Sequence, residues 1–259
     1  MPAMREPKST RTGRRPSSPF FLLLASVALL ALGAGAASAF SFEPIVQDFA
    51  PSGQGSVQTF RVTNTGAERI AVRIQLAGRV PDIDGKELMP AVTGLFAVYP
   101  ERVVLEPGAV QAVRVQWKGP AKPEVEQCFR ILAEQLPVDF GTEQKKETGA
   151  IKVLFRYVGA IYVVPAGAKP DVVLETARAA VDATGRRGLE LVFANRGTAH
   201  TILDNLELTI GDRVFGPTEL PGISGENVLP GLKRRFFLSL DSELPQGDIH
   251  VAFRFDPLR

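Results

Sequence analysis

The chain has 259 residues, 45% of them hydrophobic, with 30 Lys and Arg set against 28 Asp and Glu. One cysteine, Cys128, excludes an intrachain disulfide. Two histidines, His200 and His250, leave any metal site to carboxylates, and none of those cluster with ligand spacing, so neither metal nor cofactor is expected.

Residues 1–39 read as an export signal. Arg5, Lys8, Arg11, Arg14 and Arg15 form a positive start, "FFLLLASVALLALGAGA" is an apolar run short for a bilayer, and "ASA" at 37–39 suits cleavage before Phe40. Pro16 follows the arginine pair, which favours the general secretory route over twin-arginine export. The segment, with five Lys/Arg and one Glu, accounts for the chain's net positive charge. Without it the chain carries about −2, which argues against a nucleic-acid partner. No later stretch is long and apolar enough for a transmembrane helix, and the residue directly after the cleavage site is Phe40 rather than a cysteine that could be lipidated, so a soluble product is expected.

Residues 40–164 read as short strands. "SVQTFRVTN" (56–64) sets Val57, Thr59 and Arg61 against Phe60 and Val62, and "IAVRIQLAG" (70–78) alternates Ile70, Val72, Ile74 and Leu76. "PDIDGKEL" is a turn region in which Asp82 and Asp84 do ordinary turn chemistry. "LFAVYPERVVLEPGAVQAVRVQWKG" gives strand, Pro-Gly turn and strand, with Val113, Val115 and Trp117 on one face. "EQCFRILAEQLPV" and "AIKVLFRYVGAIYVV" complete the set. Around 165–170 the composition turns to Pro, Ala and Gly, as in a linker. Strands resume in "DVVLETARAAVD", "GLELVFANRG", "LDNLELTIG", "RRFFLSLD" and "DIHVAFRF". The pattern predicts an all-β chain of two sandwiches. "VTNTG" and "FANRG" each end a strand in Asn-x-Gly, which suits a turn needing positive φ.

An enzyme is not expected. No Gly-x-Ser-x-Gly elbow accompanies either histidine. His200, in "NRGTAHTIL", reads as a turn or surface residue, His250 as a structural residue of a terminal strand, and Cys128 as a buried hydrophobe. "GAIKVLFRYVGAIYVVP" (149–165) asks for more, because Ile151, Val153, Phe155 and Tyr157 alternate on one face. That face is either ordinary core or, on a sheet edge, a surface that needs a partner to cover it.

Taken together, "TFRVTNTG", "DIDGKEL", "FAVYPERVVLEPGAVQAVRVQWKG", "EQCFRILAEQLPV", "VLFRYVGAIYVVP", "LVFANRGTAH" and "LPQGDIHVAF" resemble the periplasmic pilus (fimbrial) chaperones of the chaperone–usher pathway, more closely the divergent archaic type. The resemblance spans the mature sequence. It implies two immunoglobulin-like sandwiches in a boomerang, residues 40–165 and 166–259, and a non-enzymatic periplasmic role. Such a protein binds pilus subunits, lends its last first-domain strand to fill their missing one, and hands them to an outer-membrane usher. No small-molecule substrate is implied. By position the donated strand is 149–158, with Ile151, Val153, Phe155 and Tyr157 as its inserted side chains.

The family's two basic anchors for the subunit's terminal carboxylate fall on Asp48 and Ala160, which carry no positive charge. Arg156 and Arg130 are the basic residues placed to replace them; for Arg156 a solvated or structural ion pair is the competing assignment. Glu126 matches a family glutamate that pairs across the domain junction, but the matching arginine is Val164 here. A secreted structural or adhesion β-sandwich protein without a client is the alternative to a chaperone.

Overall fold

A computed structural model describes residues 40–140, 153–240 and 249–258. Residues 1–39, read above as an export signal, and residues 141–152, which include Ile151 of the expected donated strand, lie outside the described residues. Among the described residues there is no α-helix, only two 3-10 turns, Gln54–Ser56 and Pro217–Glu219, so no helix is long and apolar enough to cross a membrane.

The first sandwich begins with β1 (Ser41–Glu43), β2 (Val46–Phe49), β3 (Val57–Thr63), β4 (Ile70–Gly78), β5 (Val80–Pro81) and β6 (Glu87–Leu88). It continues with β7 (Phe96–Tyr99), β8 (Arg102–Leu105), β9 (Val110–Trp117), β10 (Gln127–Gln135) and β11 (Arg156–Val163). One sheet has the order β1-β3-β9-β7 and the other β2-β11-β10-β4-β8, while β5 and β6 form a separate hairpin. The predicted alternation fills the space between the sheets. Phe60, Val62, Val72, Val113 and Val115 are wholly buried, and the rings of Phe96, Trp117 and Phe129 meet edge to face within the same core.

The run 95–119 departs from the expected two strands. The chain passes from β7 in one sheet to β8 in the other at Pro100, and Pro44 marks the same change between β1 and β2. A proline has no N–H for the ladder, so a strand breaks there.

The second sandwich comprises β12 (Val172–Val181), β13 (Arg187–Asn195), β14 (Thr201–Ile210), β15 (Arg213–Phe215), β16 (Asn227–Val228), β17 (Lys233–Ser239) and β18 (Val251–Leu258). Its sheets run β12-β13-β17 and β15-β14-β16, with β18 paired to β14. Leu189, Leu191, Phe193, Leu203, Leu206 and Leu208 are fully buried between them. His250 is exposed just ahead of β18 rather than inside the strand as expected.

Both sandwiches are clamped by one device. Asn64 Nδ2 donates to the carbonyls of Glu68 (2.7 Å) and Leu105 (3.0 Å), while its Oδ1 accepts the N–H of Gly66 (3.0 Å). Asn195 Nδ2 donates to Ala199 (2.8 Å) and Val228 (2.9 Å), and its Oδ1 accepts from Gly197 (3.0 Å). The two Asn-x-Gly cues therefore mark buried asparagines. Positive φ belongs to other glycines, such as Gly108 and Gly231, and not to Gly66 or Gly197. Gly197 is needed for another reason: a Cβ there would lie 2.3 Å from the Lys169 carbonyl oxygen.

Candidate functional site

β11 changes its environment along its length. Its inward side chains at Ile161 and Val163 are wholly buried and that of Tyr157 packs half-buried against the same core, as does Phe155 just before the strand, while Val153, two residues further out, is 61% exposed. One apolar face thus runs from the interior of the sandwich into solvent. Leu154, Val158, Ile45 and Val46 add further exposed apolar surface around it.

The backbone at this place has an open side. β10 pairs antiparallel with β11 along the whole strand, from Glu134 with Arg156 to Gln127 with Val163. On the other side β2 pairs in parallel only with Ala160–Val163. Ala160 donates its N–H to Ile45 O (2.8 Å) and Val164 to Phe49 O (2.9 Å), away from β10, whereas Phe155 O accepts from Gln135 on the β10 side (2.9 Å). These directions alternate along a strand. Arg156 and Val158 therefore turn their N–H and C=O groups to the side where no described strand pairs with them. Gly159 marks where β2 closes in, since a Cβ there would lie 2.7 Å from Ile45 O.

The basic residues lie on the outer face of the same sheet. Arg156 is half-exposed, with Nε 3.8 Å from Glu134 Oε1, and Glu134 also accepts from Arg73 at 2.7 Å. Arg130 is nearly enclosed and grips both oxygens of Glu87 (2.8 and 2.6 Å), which Arg79 also reaches at 2.7 Å. Burial works against the Glu87 anion, but the two guanidiniums outweigh it and hold the carboxyl below the usual range. Arg130 stands opposite Ala160 and Arg156 opposite Glu134, so four residues, or about 13 Å of strand, separate the two. They do not form one site. Asp48 lies on β2, and Ala160 is buried with Tyr162 against Leu229 of the second sandwich.

The junction between the sandwiches holds a closed polar cluster. His200 Nδ1 lies 2.6 Å from Glu126 Oε1, which also accepts the His200 N–H (3.3 Å) and the Cys128 thiol (3.4 Å). The His200 ring stacks on Tyr162 at 3.6 Å, and the Tyr162 hydroxyl takes Arg79 (2.6 Å) and Asn227 (2.9 Å). The expectation for His200 as a turn or surface residue is therefore corrected: it is 1% exposed. Glu126 thus has His200, and not an arginine at position 164, as its partner across the junction. Cys128 is partly buried against Ala160, Tyr162 and Leu229, and burial and the adjacent carboxylate push its thiol well above its ordinary value. Asp82 Oδ1 caps its own turn, while Asp84 takes both donors of Arg235 on β17 (2.8 and 2.7 Å).

Tyr162, Arg79 and Asn227 were not legible as a set. One signal did exist: residues 158–164 lose the apolar–polar alternation, as a strand buried on both faces does.

No family model and no curated protein matches the chain. Solved structures do. The CsuC–CsuE chaperone–tip adhesion subunit pre-assembly complex from the archaic chaperone-usher Csu pili of Acinetobacter baumannii matches with a TM-score of 0.58 at 15% identity, over 83% of this chain and 98% of the other. The class 5 fimbriae chaperone CfaA matches with a TM-score of 0.52 at 15% identity over 84% and 99%. The YadV chaperone matches with a TM-score of 0.53 at 12% identity over 86% and 94%. The likeness at these identities is one of architecture: the chain has the two-sandwich fold of fimbrial chaperones.

Proposed function

We propose that this chain is a periplasmic chaperone that binds, folds and caps pilus subunits by lending them its strand at 149–158, then delivers them to an outer-membrane usher. The observation that carries the reading is the half-open β11, where no described strand pairs with the outward backbone groups of Arg156 and Val158, beside an apolar face that emerges at Phe155 and Val153. Such an edge is an adhesive liability in an isolated protein and a template for strand addition in a chaperone. The fold neighbours include a chaperone–tip adhesin complex of CFA/I fimbriae and the CsuC–CsuE complex. Residues 40–165 form the chaperone domain with the donated strand and 166–259 its companion. Burial of strand side chains and edge hydrogen bonds supply the drive, with no catalysis.

Affinity purification of the tagged chain from periplasm tests this. A short, strand-deficient subunit is expected to accompany it, and the amino terminus read by mass spectrometry is expected near Phe40. Recovery of the chain alone, where the genome's fimbrial subunits are expressed, overturns the reading in favour of a structural sandwich without a client.

A further inference from the structure

Phe40 ties the two sheets together at the flank where the open edge lies. It directly precedes β1, which belongs to the sheet opposite β11. Its side chain is wholly buried in the first core, its ring meets that of Tyr157 edge-on at 4.8 Å, and its carbonyl oxygen accepts the Tyr157 O–H at 2.7 Å. Tyr157 sits within the stretch of β11 that has a ladder on the β10 side alone. Beyond it toward Ala160 the strand gains β2 as a second neighbour; before it, Phe155 is only half-buried.

We propose that Phe40 is a positioning residue for this edge: by holding the Tyr157 hydroxyl from the opposite sheet, it keeps the singly paired half of β11 extended and ready to receive another strand. A strand paired on one side frays at its end, and each opening must be reversed before a further strand can add to it. The hydrogen bond opposes that fraying from the face away from the ladder, without occupying the open backbone groups. Phe40 touches no bound chain in this role and acts through Tyr157. The inference rests on the proposed strand donation for its purpose but not for its first test.

That test is hydrogen exchange on the free protein with Tyr157→Phe, which keeps the ring and removes only the O–H. The Tyr157 and Gly159 N–H groups, which point to β10, should exchange about 2- to 12-fold faster, the range expected for one hydrogen bond, while Ile161 and Val163 keep their protection. Capture of the subunit that co-purifies with the wild-type chain should weaken by a similar factor. Unchanged exchange at 157 and 159 overturns the proposal, as does a uniform rise reaching 161 and 163, which would make the bond ordinary core. Weaker capture with unchanged exchange also overturns it, because the hydroxyl would then act on the subunit directly, and so does faster exchange with undiminished capture. Faster local exchange with no subunit recovered by wild type supports the tie and removes the chaperone reading instead.

Discussion

His200 and Glu126, 74 positions apart, meet at 2.6 Å across the junction of the two sandwiches, both shut off from solvent. One carboxylate oxygen serves the imidazole, a backbone N–H and a thiol, while Glu126 Oε2 has no hydrogen-bond partner among the described residues. The second sandwich thus completes a site that the first leaves unfinished.

Removing either member should be costly and removing both less so. His200→Leu strips Glu126 of its main partner inside the junction and should lower unfolding stability by about 3 kcal/mol or more. Glu126→Leu/His200→Leu should recover part of that, with a coupling of about 1–3 kcal/mol in a double-mutant cycle. Urea unfolding measures it, and additive losses would show that the pair is not linked.

Glu87 makes a pH-dependent contribution. Its carboxyl is held below the ordinary 4.5, first by the Arg130 and then by the Arg79 hydrogen bond, against the cost of burial. A depressed acid stabilises the fold above its unfolded value and loses that effect as pH falls through the folded one. The contribution should be level from pH 7 to 5 and decline below about 4.5. Glu87→Gln should lower stability at neutral pH by about 1–3 kcal/mol and remove this part of the acid sensitivity. Urea midpoints across pH would expose a parallel acid loss in the variant, which the assignment does not allow.

Strands were legible wherever one face was dry and one wet. Phe60 and Val62, Ile70, Val72 and Ile74, and Val113, Val115 and Trp117 are buried as their alternation requires. The short strands β15 and β16 were not, because two- and three-residue ladders carry no period. The candidate site was legible as a strand but not as an edge. Alternation tells which side chains share a face; whether β2 covers one half of β11 depends on where the first strand changes sheets. The junction escaped for a related reason. His200 and Glu126 acquire meaning only once two separately folded sandwiches dock, and a histidine after a turn carries no local sign of that.

Gly159 should tolerate no side chain. Gly159→Ala would push a methyl to 2.7 Å from Ile45 O and 2.8 Å from Ile131 Cγ2, prying β2 from β11 at about 1–3 kcal/mol. Gly216→Ala is the control, at negative φ with nothing within 4 Å, and should stay within about 0.5 kcal/mol. Thermal unfolding of the two side by side checks this; equal melting would place no contact at Gly159.

Arg156 and Arg130 separate two anchoring schemes. Arg156→Ala should cost the free chain about 0–1 kcal/mol, since its pair with Glu134 is half-exposed and long. Arg130→Ala leaves Glu87 with Arg79 and should cost about 1–3 kcal/mol. If either binds a subunit's terminal carboxylate, its variant should retain fold and release the subunit in co-purification. Both variants retaining subunit at wild-type levels would place the anchor elsewhere.

Val153→Glu tests whether the emerging apolar face works on a partner. Val153 and Ile161 lie on the same side of the chain, eight residues apart, yet one is 61% exposed and the other fully buried. A glutamate at 161 must enter the core unpaired and should unfold the first sandwich. At 153 the same charge meets solvent in the free chain, so melting should stay within a few degrees of wild type. When a subunit takes up the strand, that charge must enter the subunit's apolar groove, and capture should fall at least 100-fold, about 3 kcal/mol or more. Melting curves of the free variants and recovery of the co-purifying subunit decide it. Val153→Glu that melts like Ile161→Glu would make the whole face core, and Val153→Glu that folds and still carries subunit would take the face out of binding.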